Sequence, residues 1–159
     1  MRYRICKSFE IESGHMLSKH PGRCRLPHGH TRRIDLVLSS ETLDAHDMVC
    51  DFKALKLALT EFIDAFDHAT AINSDDPALD HIRAAGGGGG ENQRVVVFES
   101  EDPTTEVLAR RIFEFVAGEL AQGGSYADDE ANAFAFRTGL SVERVRVSET
   151  STSWAEYGI

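Results

Sequence analysis

Three histidines and a cysteine, His15, Cys24, His28 and His30, lie close together near the N-terminus of this 159-residue chain. Three neutral imidazoles are enough to hold a zinc ion with one position left open, the pattern of catalytic rather than structural zinc. His28-Gly29-His30 is a His-x-His pair, and residues two apart on an extended segment face the same way, so both rings can meet one ion. Cys24 has two readings that spacing leaves open. It is either a fourth ligand closing a structural site or a free thiol whose reactive thiolate is favoured by a metal, Arg23 and Arg25 beside it. His20, His46 and His81 have no partner at ligand spacing and are expected to be exposed.

Other residues offer supporting chemistry. Asp67-His68 is a carboxylate next to an imidazole, able to orient the ring for proton transfer. Glu149 closes an apolar alternation, where a buried carboxylate can accept two N–H donors from a planar ring such as a guanine or pterin. Between Met16 and Ile34 stand Lys19, Arg23, Arg25, Arg32 and Arg33, with no acidic residue among them. The chain as a whole carries a formal charge of −9. That balance repels nucleic acid, while a local basic stretch beside a metal cluster suits a small anionic substrate.

These side chains need strands and helices to hold them. Residues 3–11 and 31–39 alternate and read as two antiparallel strands joined by the loop that carries the cluster. Asp51 caps a helix through residue 66, with Phe52, Leu55, Leu59, Phe62 and Phe66 as its apolar face. Asp102-Pro103 starts a second helix to about Leu120, with Asp102 as cap and Pro103 at the first helical position. Residues 94–98 and 142–149 read as further strands. The order gives an α+β fold with an antiparallel sheet. Gly86–Gly90 is a glycine run expected to be mobile, and no Lys-Ser/Thr follows to make a phosphate loop. Residues 77–93 and 121–140 read as surface insertions in a single domain spanning 1–159.

Hydrophobic residues make up 42% of the chain and charged ones 27%, the balance of a globular domain, and no apolar run is long enough to span a bilayer. The first residues lack the apolar core of a secretory signal, and three cysteines are an odd number for a disulfide framework, so a cytoplasmic protein is expected.

The order Ile11-Glu12-Ser13-Gly14-His15, Cys24-Arg25-Leu26-Pro27-His28-Gly29-His30, Val49-Cys50-Asp51-Phe52, Asp67-His68, Pro103-Thr104-Thr105-Glu106 and Ser148-Glu149-Thr150 resembles the 6-pyruvoyl-tetrahydropterin synthase family, which includes bacterial 6-carboxytetrahydropterin synthases. The resemblance implies a tunnelling fold: a four-stranded antiparallel sheet with two helices on one face. Three copies would close a twelve-stranded barrel and two trimers would stack into a homohexamer, removing exposed sheet edges. It implies zinc on His15, His28 and His30. Cys24, Asp67 and His68 would move protons, the last two from an adjacent subunit. Glu149 would anchor a pterin, helped by Thr104, Thr105 and Glu106. The substrate would be 7,8-dihydroneopterin triphosphate, with the basic residues 19–33 on its phosphates.

Three residues separate Cys24 from His28, which resembles the carboxy-forming enzymes of the queuosine precursor pathway. The pyruvoyl-forming enzymes tend to have a longer spacing. The turn after Asp67-His68 is one residue longer than the family usually has, and 121–140 looks inserted, able to cover the site or alter a subunit interface. A non-catalytic zinc protein with Cys24 as fourth ligand is the reading from another class. A zinc hydrolase is weaker, because no His-Glu-x-x-His is present.

Overall fold

The computed structural model describes residues 1–86 and 94–159. Strands β1 (Tyr3–His15) and β2 (His28–Ser40) pair antiparallel along their whole length, from Tyr3 opposite Ser40 to His15 opposite His28. Both run further than their apolar alternation. Residues 12–15 and 28–30 are polar or glycine, but the backbone ladder continues through them. Then come α1 (Phe52–Asp64), β3 (Ala69–Asn73), α2 (Leu79–Ala85), β4 (Val95–Phe98), α3 (Thr105–Gln122), a hairpin of β5 (Ser125–Ala127) and β6 (Ala133–Ala135), β7 (Ser141–Ser148) and β8 (Trp154–Gly158).

The expected four-stranded antiparallel sheet is instead six-stranded and mixed, in the order β4-β3-β1-β2-β7-β8. Strands β1, β2, β7 and β8 pair antiparallel, whereas β3 runs parallel to β1 and β4 parallel to β3. The reason is the connections. Strand β3 is reached only after α1 has carried the chain back, and the link from β3 to β4 carries α2, the crossover that parallel neighbours require. Part of the expected insertion at 77–93 is therefore a short helix. Gly86 caps it, and the rest of the glycine run, Gly87–Gly90, lies outside the described residues.

One face of the sheet is apolar. Ile11, Ile34, Leu36, Leu38, Val145 and Val147 are buried there against α1 and α3. Asp51 caps α1 as expected, accepting from the Lys53 backbone N–H at 2.7 Å. The helix buries Leu55, Leu59 and Ile63 with Ala54 and Ala58, while Phe52, expected inward, is 49% exposed. Phe62 stacks on Phe115 of α3, with ring centroids 4.1 Å apart. The cap of α3 is Thr104, not Asp102: its side chain accepts from the Val107 N–H at 3.3 Å, which puts Pro103 ahead of the cap. Asp102 is already used, because its carboxylate accepts from Ser18 Oγ, the Lys19 N–H and Asn73 Nδ2.

The stretch 121–140 is an ordered hairpin. After Gly123 ends α3 in the left-handed region (φ 65°), Tyr126 meets Phe136 at 5.5 Å and donates its hydroxyl to Glu119. Lys53 of α1 pairs with Asp128, and Phe136 is buried. Arg137 then donates to Ser40 Oγ and the Val49 carbonyl. Ser40 is the end of β2 remote from His28, about 40 Å along the strand at 3.3 Å per residue. Within one chain the hairpin therefore does not cover the histidines. Among the described residues no helix is long and apolar enough to cross a membrane.

Candidate metal centre and adjoining cleft

The face that is apolar under the middle of the sheet turns polar at one end. Ser13 and His15 on β1 and His30 and Arg32 on β2 continue the inward positions of Ile11 and Ile34. His15 stands opposite His28, and His30 follows two residues along the same face. The three ring centroids are 4.4, 5.2 and 5.2 Å apart. One ring nitrogen from each lies within 4.8 Å of the others.

Hydrogen bonds fix which nitrogens are free. His15 Nδ1 is 2.8 Å from the Pro103 carbonyl and His28 Nδ1 is 2.7 Å from the Leu26 carbonyl. A carbonyl only accepts, so both Nδ1 atoms carry a proton, and in the neutral ring the lone pair is then on Nε2. His30 Nε2 is buried with no hydrogen-bond partner. A buried ring nitrogen without a partner is costly unless something fills the gap. Burial pushes the His15 pKa down to about 4 against the pull of the Pro103 carbonyl, with Arg32 pushing it further down. Burial, then Arg32, lowers His30 too. The rings of His15 and His30 are thus favoured in the neutral form that a ligand must take. The site fits a metal ion with nitrogen preference such as zinc.

Beneath the triad lies Arg32, 1% exposed. Its guanidinium donates to Ser13 Oγ at 3.0 Å and Thr105 Oγ1 at 2.9 Å. Its terminal nitrogen is 3.3 Å from both ring nitrogens of His15. A donor in the ring plane reaches only one of them, so this group lies over the imidazole face. Glu149 supplies the opposing charge: Oε1 is 3.5 Å from His30 Nε2, 3.7 Å from His15 Nε2 and 3.9 Å from Arg32.

Next to the triad opens a cleft of about 380 Å³. Cys24, Thr104, Thr105, Glu106 and Glu149 line it. Cys24 is a half-buried free thiol on a single helical turn at Arg23–Arg25, and its carbonyl accepts from the Leu17 N–H at 2.9 Å. It stands outside the group of mutually close ligand atoms. Segment 102–105 organises all of this. Asp102 fastens the loop after His15, Pro103 sets the His15 tautomer, Thr104 caps α3 and Thr105 holds Arg32.

The family model described as 6-pyruvoyl tetrahydropterin synthase matches residues 4–158. The chain belongs to this family. A 6-carboxy-5,6,7,8-tetrahydropterin synthase of Aquifex aeolicus is 28% identical, covering 99% of this chain and 98% of its own length. One of Haemophilus influenzae is 27% identical, covering 98% of each. Among solved structures, an uncharacterized protein from Wolinella succinogenes superposes with a TM-score of 0.76 at 22% identity, over 99% of this chain and 98% of that one. A 6-pyruvoyltetrahydropterin synthase from Plasmodium vivax superposes with a TM-score of 0.65 at 16% identity, over 100% and 99%. These two establish the likeness of fold.

For this member of the pterin synthase family, most of the residues singled out from sequence converge on the cleft. Asp67 and His68 do not. Asp67 accepts from the Glu12 N–H at 2.8 Å and pairs with His68 Nδ1 at 2.9 Å, and the His68 side chain is 75% exposed outside the cleft. The basic stretch divides as well. Arg32 is buried, Arg33 pairs with Asp35 on the opposite sheet face and Lys19 donates to the Ser100 carbonyl, which leaves Arg23 and Arg25 exposed. Sequence reasoning gave no role to His20 and Trp154, yet both line the cleft. His20 is exposed, as expected, and accepts from the Gly22 N–H through Nδ1 at 2.9 Å. Trp154 carried one signal: it is the chain's single tryptophan and follows Glu149 by five residues.

Proposed function

We propose that this chain is a zinc-dependent 6-carboxytetrahydropterin synthase of the cytoplasm. It would convert 7,8-dihydroneopterin triphosphate to 6-carboxy-5,6,7,8-tetrahydropterin, releasing triphosphate and acetaldehyde. The observation that carries this is the histidine triad, with two Nδ1 atoms tied to carbonyls and the bare nitrogen of His30 beside a cleft holding a thiol and a carboxylate. The full-length relatives from Aquifex aeolicus and Haemophilus influenzae bear the carboxy-forming name and support that choice of product.

His15, His28 and His30 would hold the zinc. When bound there, zinc supplies a Lewis acid that makes a C–H beside a coordinated hydroxyl more acidic. Glu149 binds the N–H edge of the pterin and fixes the ring, while Thr104, Thr105 and Glu106 at the start of α3 close the cleft around it. Cys24 as thiolate takes a proton from the substrate side chain. His68, oriented by Asp67, handles the second proton. Because that pair does not line the cleft of its own chain, it serves the cleft of a neighbouring copy, three copies closing a barrel and two trimers stacking into a hexamer. Arg23 and Arg25 are left to meet the triphosphate at the rim.

The test is incubation of zinc-replete protein with 7,8-dihydroneopterin triphosphate and identification of the pterin by mass. A 6-carboxy pterin with acetaldehyde supports the reading. A pyruvoyl product, the second reading that the family description favours, keeps the machinery and changes the product. No turnover with zinc bound rejects both and leaves a zinc protein without this activity.

A further inference from the structure

Val145 and Val147 of β7 are buried against the helices, and Glu149 continues that inward series just past the strand. Val147 stands opposite Ile34, so Glu149 comes level with Arg32. Its backbone is held, because the N–H groups of Glu149 and Thr150 both donate to the Ser153 carbonyl, at 2.9 and 3.2 Å. Its side chain is not held in the same way. Oε1 stands 3.5 Å from His30 Nε2, 3.7 Å from His15 Nε2 and 3.9 Å from Arg32. All three separations are longer than a good hydrogen bond.

The two histidine distances fit a different relation. Nitrogen and oxygen ligands of a tetrahedral zinc, each ~2.0–2.1 Å from the ion, stand ~3.3 Å from one another. Oε1 is therefore spaced from His15 and His30 nearly as a fellow ligand. The mutually close group holds only the three imidazoles, which puts the carboxylate at the His15–His30 edge of the triad. A small side-chain movement brings it to the position that three histidines leave open. Carboxylate oxygen is a regular zinc ligand.

The same carboxylate is the group assigned to the N–H edge of the ring. A pterin carries that edge and its side chain at opposite ends of the bicycle. While the side-chain hydroxyls meet the ion, the N–H edge lies a ring's length away, and one carboxylate cannot be in both places. Glu149 has room to take a second pose. Its side chain is 35% exposed, and it lines the cleft together with Thr104, Thr105 and Glu106.

We propose that Glu149 is a gate on the metal: at rest its carboxylate closes the ion's fourth position, and a planar heterocycle with adjacent N–H donors draws it into the cleft and leaves that position to the substrate's hydroxyls. This rests on the reading that the cleft takes a pterin, and adds that seating the ring is what opens the metal. Ring and ion compete for one carboxylate. The ring alone, without hydroxyls or phosphates, should therefore open the position.

The experiment loads the protein with cobalt in place of zinc and titrates azide, a small anion that takes an open coordination position, by the visible absorption of the ion. Glu149→Ala is expected to bind azide ~10-fold or more tightly than the parent protein, as for a position open about a tenth of the time or less in the parent. Glu106→Gln removes a charge from the same cleft and leaves the gate in place, so its azide affinity is expected within ~3-fold of the parent. In the parent, saturation with 6-methyl-7,8-dihydropterin, which has the ring and no side-chain hydroxyl, is expected to tighten azide binding by ~5-fold or more. Azide binding by the parent as tight as by Glu149→Ala overturns the proposal, because the position was never closed. So does an equal gain in Glu106→Gln, which makes the effect one of charge. Uptake of the ring by calorimetry with azide affinity unchanged fails the gate alone. If the parent takes up no ring at all, the proposed function fails and the gate falls with it.

Discussion

Cys24 and the three histidines divide their work in a way one substitution separates. Replacing Cys24 with alanine should leave zinc content and melting temperature unchanged while turnover falls ~10²- to 10⁴-fold, the usual worth of a positioned proton-transfer group. Parallel loss of zinc and stability in a metal assay and a thermal melt would instead make Cys24 a ligand. Cys50 contrasts with it. Burial, with Asp51 adding to it, pushes the Cys50 thiol up to about 11. A folded pKa raised above the unfolded value of about 9 means the native state holds the proton longer, so this contribution to stability is complete below pH ~9 and fades as pH rises towards 11. Denaturant midpoints measured across that window should fall, and less steeply in Cys50→Ala. Of the site, the histidines were legible because polar residues at strand spacing beside apolar alternation leave few alternatives. Arg32 was not, because a basic residue in a basic stretch reads as surface, and only its bonds to Ser13 and Thr105 show that it is interior.

At the level of elements, strong periodicity was legible and short or polar pieces were not. Strands β1, β2, β4 and β7 and helices α1 and α3 were expected near where they stand. Strands β3 and β8 have five residues each, too few to show a period, and α2 buries nothing. The hairpin at 121–140 hid for a different reason. Its two strands are three residues each, and what fixes them is Phe136 and Tyr126 packing with α1 and α3, a tertiary effect. Phe136→Ala should therefore cost about 3–5 kcal/mol in urea unfolding, the range for a buried phenylalanine. Zinc affinity should stay at the parent value, since the triad sits at the far end of β2. A drop in zinc affinity in that variant would mean that the hairpin reaches the site after all.

The whole molecule presents a cleft that lacks part of its proposed machinery and a proton-transfer pair that lacks a cleft. Among the described residues, strands β4 and β8 end the sheet as unpaired edges, and such edges invite pairing with another chain unless they are covered. The pair Asp67–His68 sits where α1 gives way to β3, with His68 in the left-handed region (φ 52°) and its N–H bonded to the Glu12 carbonyl at 2.6 Å. That conformation holds the ring out from the sheet. Both oddities resolve if copies associate edge to edge, so that His68 of one faces Cys24 of the next. Complementation decides this. Cys24→Ala and His68→Ala should each be inactive alone. Mixed under conditions that allow subunit exchange, they should recover roughly a quarter of the parent activity, the share of clefts drawing both intact residues at random in a closed assembly. If each chain used its own His68, every cleft in the mixture would still lack one group and activity would stay at the level of the single variants.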